Sequence, residues 1–144
     1  MLTREEYEEF IYTIRERYPL IQTSTLVVVM IASQKAEVVG ELFFEEEVRL
    51  EITEAISFDD QRIETYGYEV HRGEEKLYWY DSQPHPDDPT LASTHPHHKH
   101  IPPEIKHHRV PAPDMSFTEP NLPFLINEIL TTVLSSEPEN GPDE

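Results

Sequence analysis

The chain predicts an α+β fold: an antiparallel meander sheet of about 4–5 strands, N- and C-terminal helices packed on it, and an ordered His/Pro-rich loop. Three observations carry this expectation. Apolar residues recur at helical spacing near each end. Between them lie alternating apolar and polar runs joined by short turn signals. After residue 82 the character changes, with ten prolines between 84 and 123 and seven of the eight histidines between 85 and 108.

Thr3 and Glu6 form a Thr-x-x-Glu capping box, with Leu2 and Tyr7 placed as a hydrophobic staple. Tyr7, Phe10, Ile11, Ile14 and Tyr18 follow helical spacing and Pro19 ends the run, so a helix is expected over residues 3–18. Thr25 to Ile31 is valine-rich and almost wholly apolar, which suits a strand covered on both faces. Ala36, Val38, Leu42 and Phe44 alternate with Glu37 and Glu41, with Gly40 placed for a bulge. Val48, Leu50, Ile52, Ile56 and Phe58 share one face of the next strand, and Asp59-Asp60 signals a turn. Two further strands, 62–70 and 76–81, flank His71-Arg72-Gly73-Glu74-Glu75. Such short connections require antiparallel pairing, because parallel neighbours need long crossovers. Prolines exclude regular helix or central strand from most of the loop, 82–120. The final helix begins at Asn121, a good N-cap, and aligns Leu122, Leu125, Ile126, Ile129 and Val133. Residues 137–144 read as a disordered acidic tail, leaving 1–136 as a single domain.

At 144 residues the chain is long enough to bury its own core. It has no cysteine, which excludes disulfides and thiolate metal sites, and the expected compartment is the cytoplasm. The longest apolar run, Leu26 to Ala32, is too short to span a bilayer, so no membrane is expected. Charge is uneven. Residues 1–82 carry 19 acids against 8 bases, 83–109 carry 3 against 3, and 110–144 carry 7 against none, for a total of −18. That balance repels nucleic acid at long range and attracts basic partners, and it also keeps a protein soluble. Only the histidine segment escapes the excess of acid.

Glu54 is in register with the apolar positions of its strand, so strict alternation aims its carboxylate at the core. There it must find a partner or be pushed toward its neutral form. Asp81 shares a face with Leu77 and Trp79 where the chain enters the loop, a place equally suited to a turn residue. Tyr66, Tyr68, Tyr78 and Tyr80 alternate on two neighbouring strands, as cross-strand aromatic packing or a stacking surface would require. In an extended segment residues two apart project together, pairing His95 with His97 and His98 with His100. Such pairs could chelate Zn, Ni or Cu. They could equally carry acid–base cleavage of a phosphodiester. One group would take a 2′-OH proton, a second would protonate the leaving oxygen, and Lys99 or Arg109 would meet the developing charge with no metal required. His71, His107 and His108 fit a structural role, bonded to backbone.

Leu50-Glu-Ile-Thr-Glu54, Tyr66-Gly-Tyr68, Tyr80-Asp81, Pro84-His85 and Pro96-His-His-Lys-His100 together resemble the TumE-type toxin family, in that order over about residues 36–101. Pro-His-His-Lys-His is the distinctive part. The resemblance implies the toxin of a bacterial type II toxin–antitoxin pair, with a helix-turn-helix antitoxin as partner. Matching positions carried over as candidate catalytic residues are Glu54, Tyr68, Asp81, His85, His97, His98, Lys99 and His100. The expected activity is metal-independent cleavage of RNA, with no cofactor. His85 and one of His97, His98 or His100 would share the proton transfers, Glu54 or Asp81 would orient an imidazole or act as base, and Lys99 would stabilise charge. The alternative is a non-catalytic protein whose His95, His97, His98 and His100 hold Zn or Ni or dock a partner. An exposed strand edge could also pair two subunits as a homodimer.

Overall fold

In the computed structural model the described residues are 2–82, 97–101, 109–112 and 114–134. Helices α1 (Arg4–Tyr12) and α2 (Ile14–Arg17) come first, followed by strands β1 (Thr23–Ser24), β2 (Val27–Met30), β3 (Lys35–Phe43), β4 (Val48–Ser57), β5 (Arg62–Arg72) and β6 (Glu75–Asp81). Then come β7 (His98–His100), β8 (Arg109–Pro111) and helix α3 (Leu122–Glu128), which continues as a π-helical turn over Ile129–Val133. No described helix is long and apolar enough to cross a membrane.

The sheet is an antiparallel meander in the order β1-β3-β4-β5-β6-β7-β8, with β2 sharing the β3 edge with β1. Its eight strands exceed the four or five expected. Two places account for the excess. The apolar run near residue 27 is an edge and not a doubly covered strand, with Val27 41%, Val29 45% and Ile31 58% exposed. It is split in two where Thr25–Leu26 crosses Gly40, at which a Cβ would lie 2.7 Å from the Thr25 carbonyl oxygen and 2.8 Å from Leu26 Cα. Gly40 (φ +142°) therefore serves a close approach, and its pairing with Ile52 continues the β3–β4 ladder without a register shift. The second place is the histidine segment, where β7 and β8 extend the sheet. His98–His100 has no proline and pairs with β6, whereas Pro111 lies on the last strand, where a missing N–H is tolerated.

Local signals explain the helices. Thr3 Oγ1 accepts from the Glu6 N–H at 3.2 Å as the N-cap of α1. The expected continuous helix to residue 18 is interrupted at Thr13, whose hydroxyl bonds back to the Glu9 carbonyl at 2.7 Å. Thr131 and Thr132 hydroxyls likewise bond to the Asn127 and Glu128 carbonyls in the π turn. Side chains of α1 and α3 bury one face of the sheet, bringing Tyr7, Phe10, Ile11, Leu122, Leu125 and Ile126 onto Leu50, Ile52, Tyr68 and Val70. The opposite face carries Glu41, Arg49, Glu51, Glu69 and Trp79, with Arg49–Glu41 (3.0 Å) and Lys76–Glu69 (3.5 Å) ion pairs.

Candidate functional site

Alternation along β4 sends Glu54 into the helix-covered core, where it is completely buried. Its register partners are Val38 and Tyr66. Two phenols meet the carboxylate: Tyr7 of α1 donates to Oε1 at 2.6 Å, and Tyr68 of β5 donates to Oε2 at 2.5 Å. The Tyr68 oxygen in turn accepts from Asn121 Nδ2 at 3.1 Å. Burial pushes Glu54 above its ordinary value, and the Tyr68 and Tyr7 hydroxyls pull back only part of that shift. Burial, and then the charge of Glu54, raises both phenols well above theirs, so they keep their protons and act as donors. Asn121 does not cap α3 through its side chain; besides Tyr68 it bonds the Ser116 carbonyl (3.0 Å) and accepts from the Ser116 N–H (2.9 Å).

Beside this buried unit the same face reaches the surface. Tyr66 stacks on Tyr68 with ring centroids 5.0 Å apart, and its hydroxyl lies 2.6 Å from His97 Nδ1. The His97 ring is nearly parallel to Tyr66 (4°) and 4.5 Å from the ring of Phe117, over which the exposed Arg62 guanidinium stands at 5.3 Å. His97 is half-buried. Burial and the charge of Asp81 hold the Tyr66 phenol above its ordinary value, so it meets the imidazole as a neutral group. The arrangement joins an imidazole of fixed orientation, a neutral phenol, an aromatic face and a cation.

On the opposite face, β6 and β7 bring Asp81 against two imidazoles. His98 Nε2 is 2.5 Å from Asp81 Oδ1, and His100 Nε2 is 3.3 Å from Oδ2. Both histidines are buried, whereas the Asp81 side chain remains 24% exposed. Burial alone would raise Asp81, but the His100 and His98 imidazoles beside it outweigh that and hold the carboxyl well below its usual range. Trp79 packs on the His100 ring at 4.5 Å. Between the histidines, Lys99 points to the helix-covered face. There it pairs with Glu128 of α3 at 3.0 Å and stands 4.3 Å from the Tyr78 ring. Glu128 also accepts from the Tyr80 hydroxyl at 3.0 Å.

The structure thus distributes the sequence-predicted residues over two faces. Glu54 with Tyr68, and separately His97 and Lys99, lie on the helix-covered side; Asp81, His98 and His100 lie together on the other. His98 and His100 project together, as the two-residue spacing requires, whereas His97 is bonded to Tyr66 across the sheet. Asp81 meets imidazoles, whereas the hydrogen-bond partners of Glu54 are phenols. His85, His95, His107, His108, the Arg109 side chain and the acidic tail lie outside what the structure describes. Tyr7, Asn121, Arg62, Phe117 and Glu128 complete these clusters without having been singled out as site residues. Tyr7 left a signal, since a tyrosine on a buried helical stripe has a hydroxyl needing a partner. A separate open cleft of about 470 Å³, between the α1–α2 junction and Ser24–Leu26, touches none of these groups.

Comparison with known proteins agrees with the family resemblance. No curated protein and no solved structure matches the chain. The model of the family described as Toxin TumE matches residues 11–133, wider than the span of about 36–101 that carried the resemblance, and it takes in α2 and α3 as well as the whole sheet. The chain belongs to the TumE toxin family, and membership of a toxin family implies an antitoxin partner.

Proposed function

We propose that this protein is the toxin of a type II pair and acts as an endoribonuclease, with proton transfer at His97 and a helix-turn-helix protein as its antitoxin. The observation that carries the reading is the Tyr66–His97 contact at 2.6 Å, placed where the helix-covered face meets solvent. With Nδ1–H donated to the phenol oxygen, Nε2 presents its lone pair and takes the proton of a ribose 2′-OH. The oxygen then attacks the adjacent phosphorus, the bond to the 5′-oxygen breaks, and a second acid protonates that oxygen. His85, from the same histidine-rich segment, is the residue proposed for the second transfer. Arg62 supplies positive charge for the phosphorane-like state, and Phe117 offers a face on which a base can stack. The groups named here complete the transfer without a metal in the step. Lys99 is assigned instead to holding α3 through Glu128.

The test is expression of wild type and His97→Ala in a bacterial host, with growth, total RNA integrity and cleavage ends recorded. Wild type is expected to arrest growth and leave 2′,3′-cyclic phosphate ends, and His97→Ala to cleave about 100- to 10,000-fold more slowly while keeping its fold. Co-expression of the antitoxin should restore growth. Intact RNA from folded wild type, or undiminished cleavage by the variant, overturns the reading.

A further inference from the structure

We infer that Asp81, His98 and His100 form a binding site for one divalent late transition-metal ion, zinc by chemical class, on the sheet face opposite His97. The inference stands apart from the ribonuclease reading, because none of its three ligands takes part in the proposed proton transfer.

Convergence is the first argument. One carboxylate oxygen of Asp81 and one ring nitrogen from each of His98 and His100 lie within 4.8 Å of one another, contributed by adjacent antiparallel strands in the register Asp81↔His98 and Trp79↔His100. Ligand atoms about 2.0–2.1 Å from a tetrahedral zinc stand about 3.3–3.4 Å apart. The Asp81–His100 separation of 3.3 Å already matches such an edge. The His98 contact is made to the other carboxylate oxygen, Oδ1, so a shared ion requires the Asp81 carboxylate to turn and this shorter contact to open by under an ångström.

Chemistry and burial give the second argument. Two imidazoles and one carboxylate are donors suited to zinc, nickel or ferrous iron and poorly suited to magnesium or calcium. Both imidazoles are at least 96% buried on the face that no described helix covers, and Trp79 packs on the ring of His100. Asp81 keeps 24% of its side chain exposed, which provides a route for the ion and room for a water as fourth ligand. On binding, Nε2 of each imidazole turns its lone pair to the ion, and in a neutral ring the single N–H then sits on Nδ1.

The site also joins the short strand β7 to β6. β7 has three residues and β8 three, at the edge of the sheet in a proline-rich stretch. A metal clamping β6 to β7 would secure a short strand pair that few backbone hydrogen bonds hold. The neighbouring Glu51, Glu69 and His71 cluster also brings three potential ligands together, but Lys76 stands 3.5 Å from Glu69 and already supplies its counter-charge.

The measurement is zinc titration of chelator-treated, full-length protein, followed by calorimetry, thermal denaturation and long-range proton–nitrogen NMR of the imidazole rings. Expected are one zinc per chain at this site, a raised melting temperature reversed by chelator, and shifts of the His98 and His100 ring nitrogens. Magnesium should give none of these. His98→Ala and His100→Ala should each weaken binding by roughly 100-fold or more, whereas His71→Ala should bind as wild type does. Should the two ligand variants fail to fold, the wild-type ring-nitrogen shifts decide alone. No zinc uptake, shifts that spare His98 and His100, or affinity retained in folded His98→Ala would each overturn the site. RNA cleavage is not the readout, so failure here leaves the ribonuclease reading standing, and failure of that reading leaves the metal site standing.

Discussion

At Glu54 a carboxylate sits completely buried in the core, held by hydroxyls from a helix and a neighbouring strand. Its inward direction was legible in the sequence, because side chains alternate along a strand and Glu54 is in phase with Leu50 and Ile52. Its partners were not, since Tyr7 is 47 residues away and Asn121 stands 53 residues from the tyrosine it supports. Because burial raises Glu54 above 4.5, the folded state holds its proton more tightly than the unfolded chain does. Its contribution to stability is therefore full below the unfolded value and is lost as pH rises through the folded one. Urea unfolding at about pH 5 and about pH 8 should show wild type losing more stability than Glu54→Gln across that interval. Parallel losses in the two proteins would mean that Glu54 does not titrate differently on folding.

Single elements show how a correct periodicity can still misplace a strand. The apolar run around Val27–Val29 reads as a buried strand by composition, yet it is an edge, because the α1 helix covers only part of it and Gly40 forces a break beside it. Tyr12 of α1 accepts from the Val28 N–H at 2.9 Å, satisfying one donor that an edge strand leaves open. Gly40→Ala would press a Cβ into the Thr25–Leu26 backbone while keeping φ at +142°, so it should cost roughly 1–3 kcal/mol. A shift in the urea midpoint at unchanged slope would report that loss, and an unshifted midpoint would mean the crossing at Thr25 relaxes freely. The capping box at Thr3 was fully local and fully legible. The break at Thr13 was not, because back-bonding by a threonine is one of two options its backbone leaves open.

Across the whole molecule the net charge is −18, and the open sheet face balances only part of its acid through Arg49 and Lys76. Self-repulsion on that scale opposes the compact state and is screened by salt. Raising sodium chloride from about 0.01 M to about 0.5 M should therefore stabilise the protein by about 1 kcal/mol, or a few degrees in Tm. A flat or falling Tm would show that local ion pairs already neutralise the surface. The sequence by itself determined the α+β class, the antiparallel order of β3 to β6, which residues of those four strands share a face, and the family-like Pro-His-His-Lys-His segment. These follow from period, turn chemistry and short connections, all of which act over a few residues. Only the tertiary structure decided that the sheet continues into the histidine segment, that His97 joins Tyr66 while His98 and His100 join Asp81, and that Lys99 is held by Glu128. Alternation fixes that neighbouring residues face opposite ways, but the groups that await them on each face are set by long-range pairing.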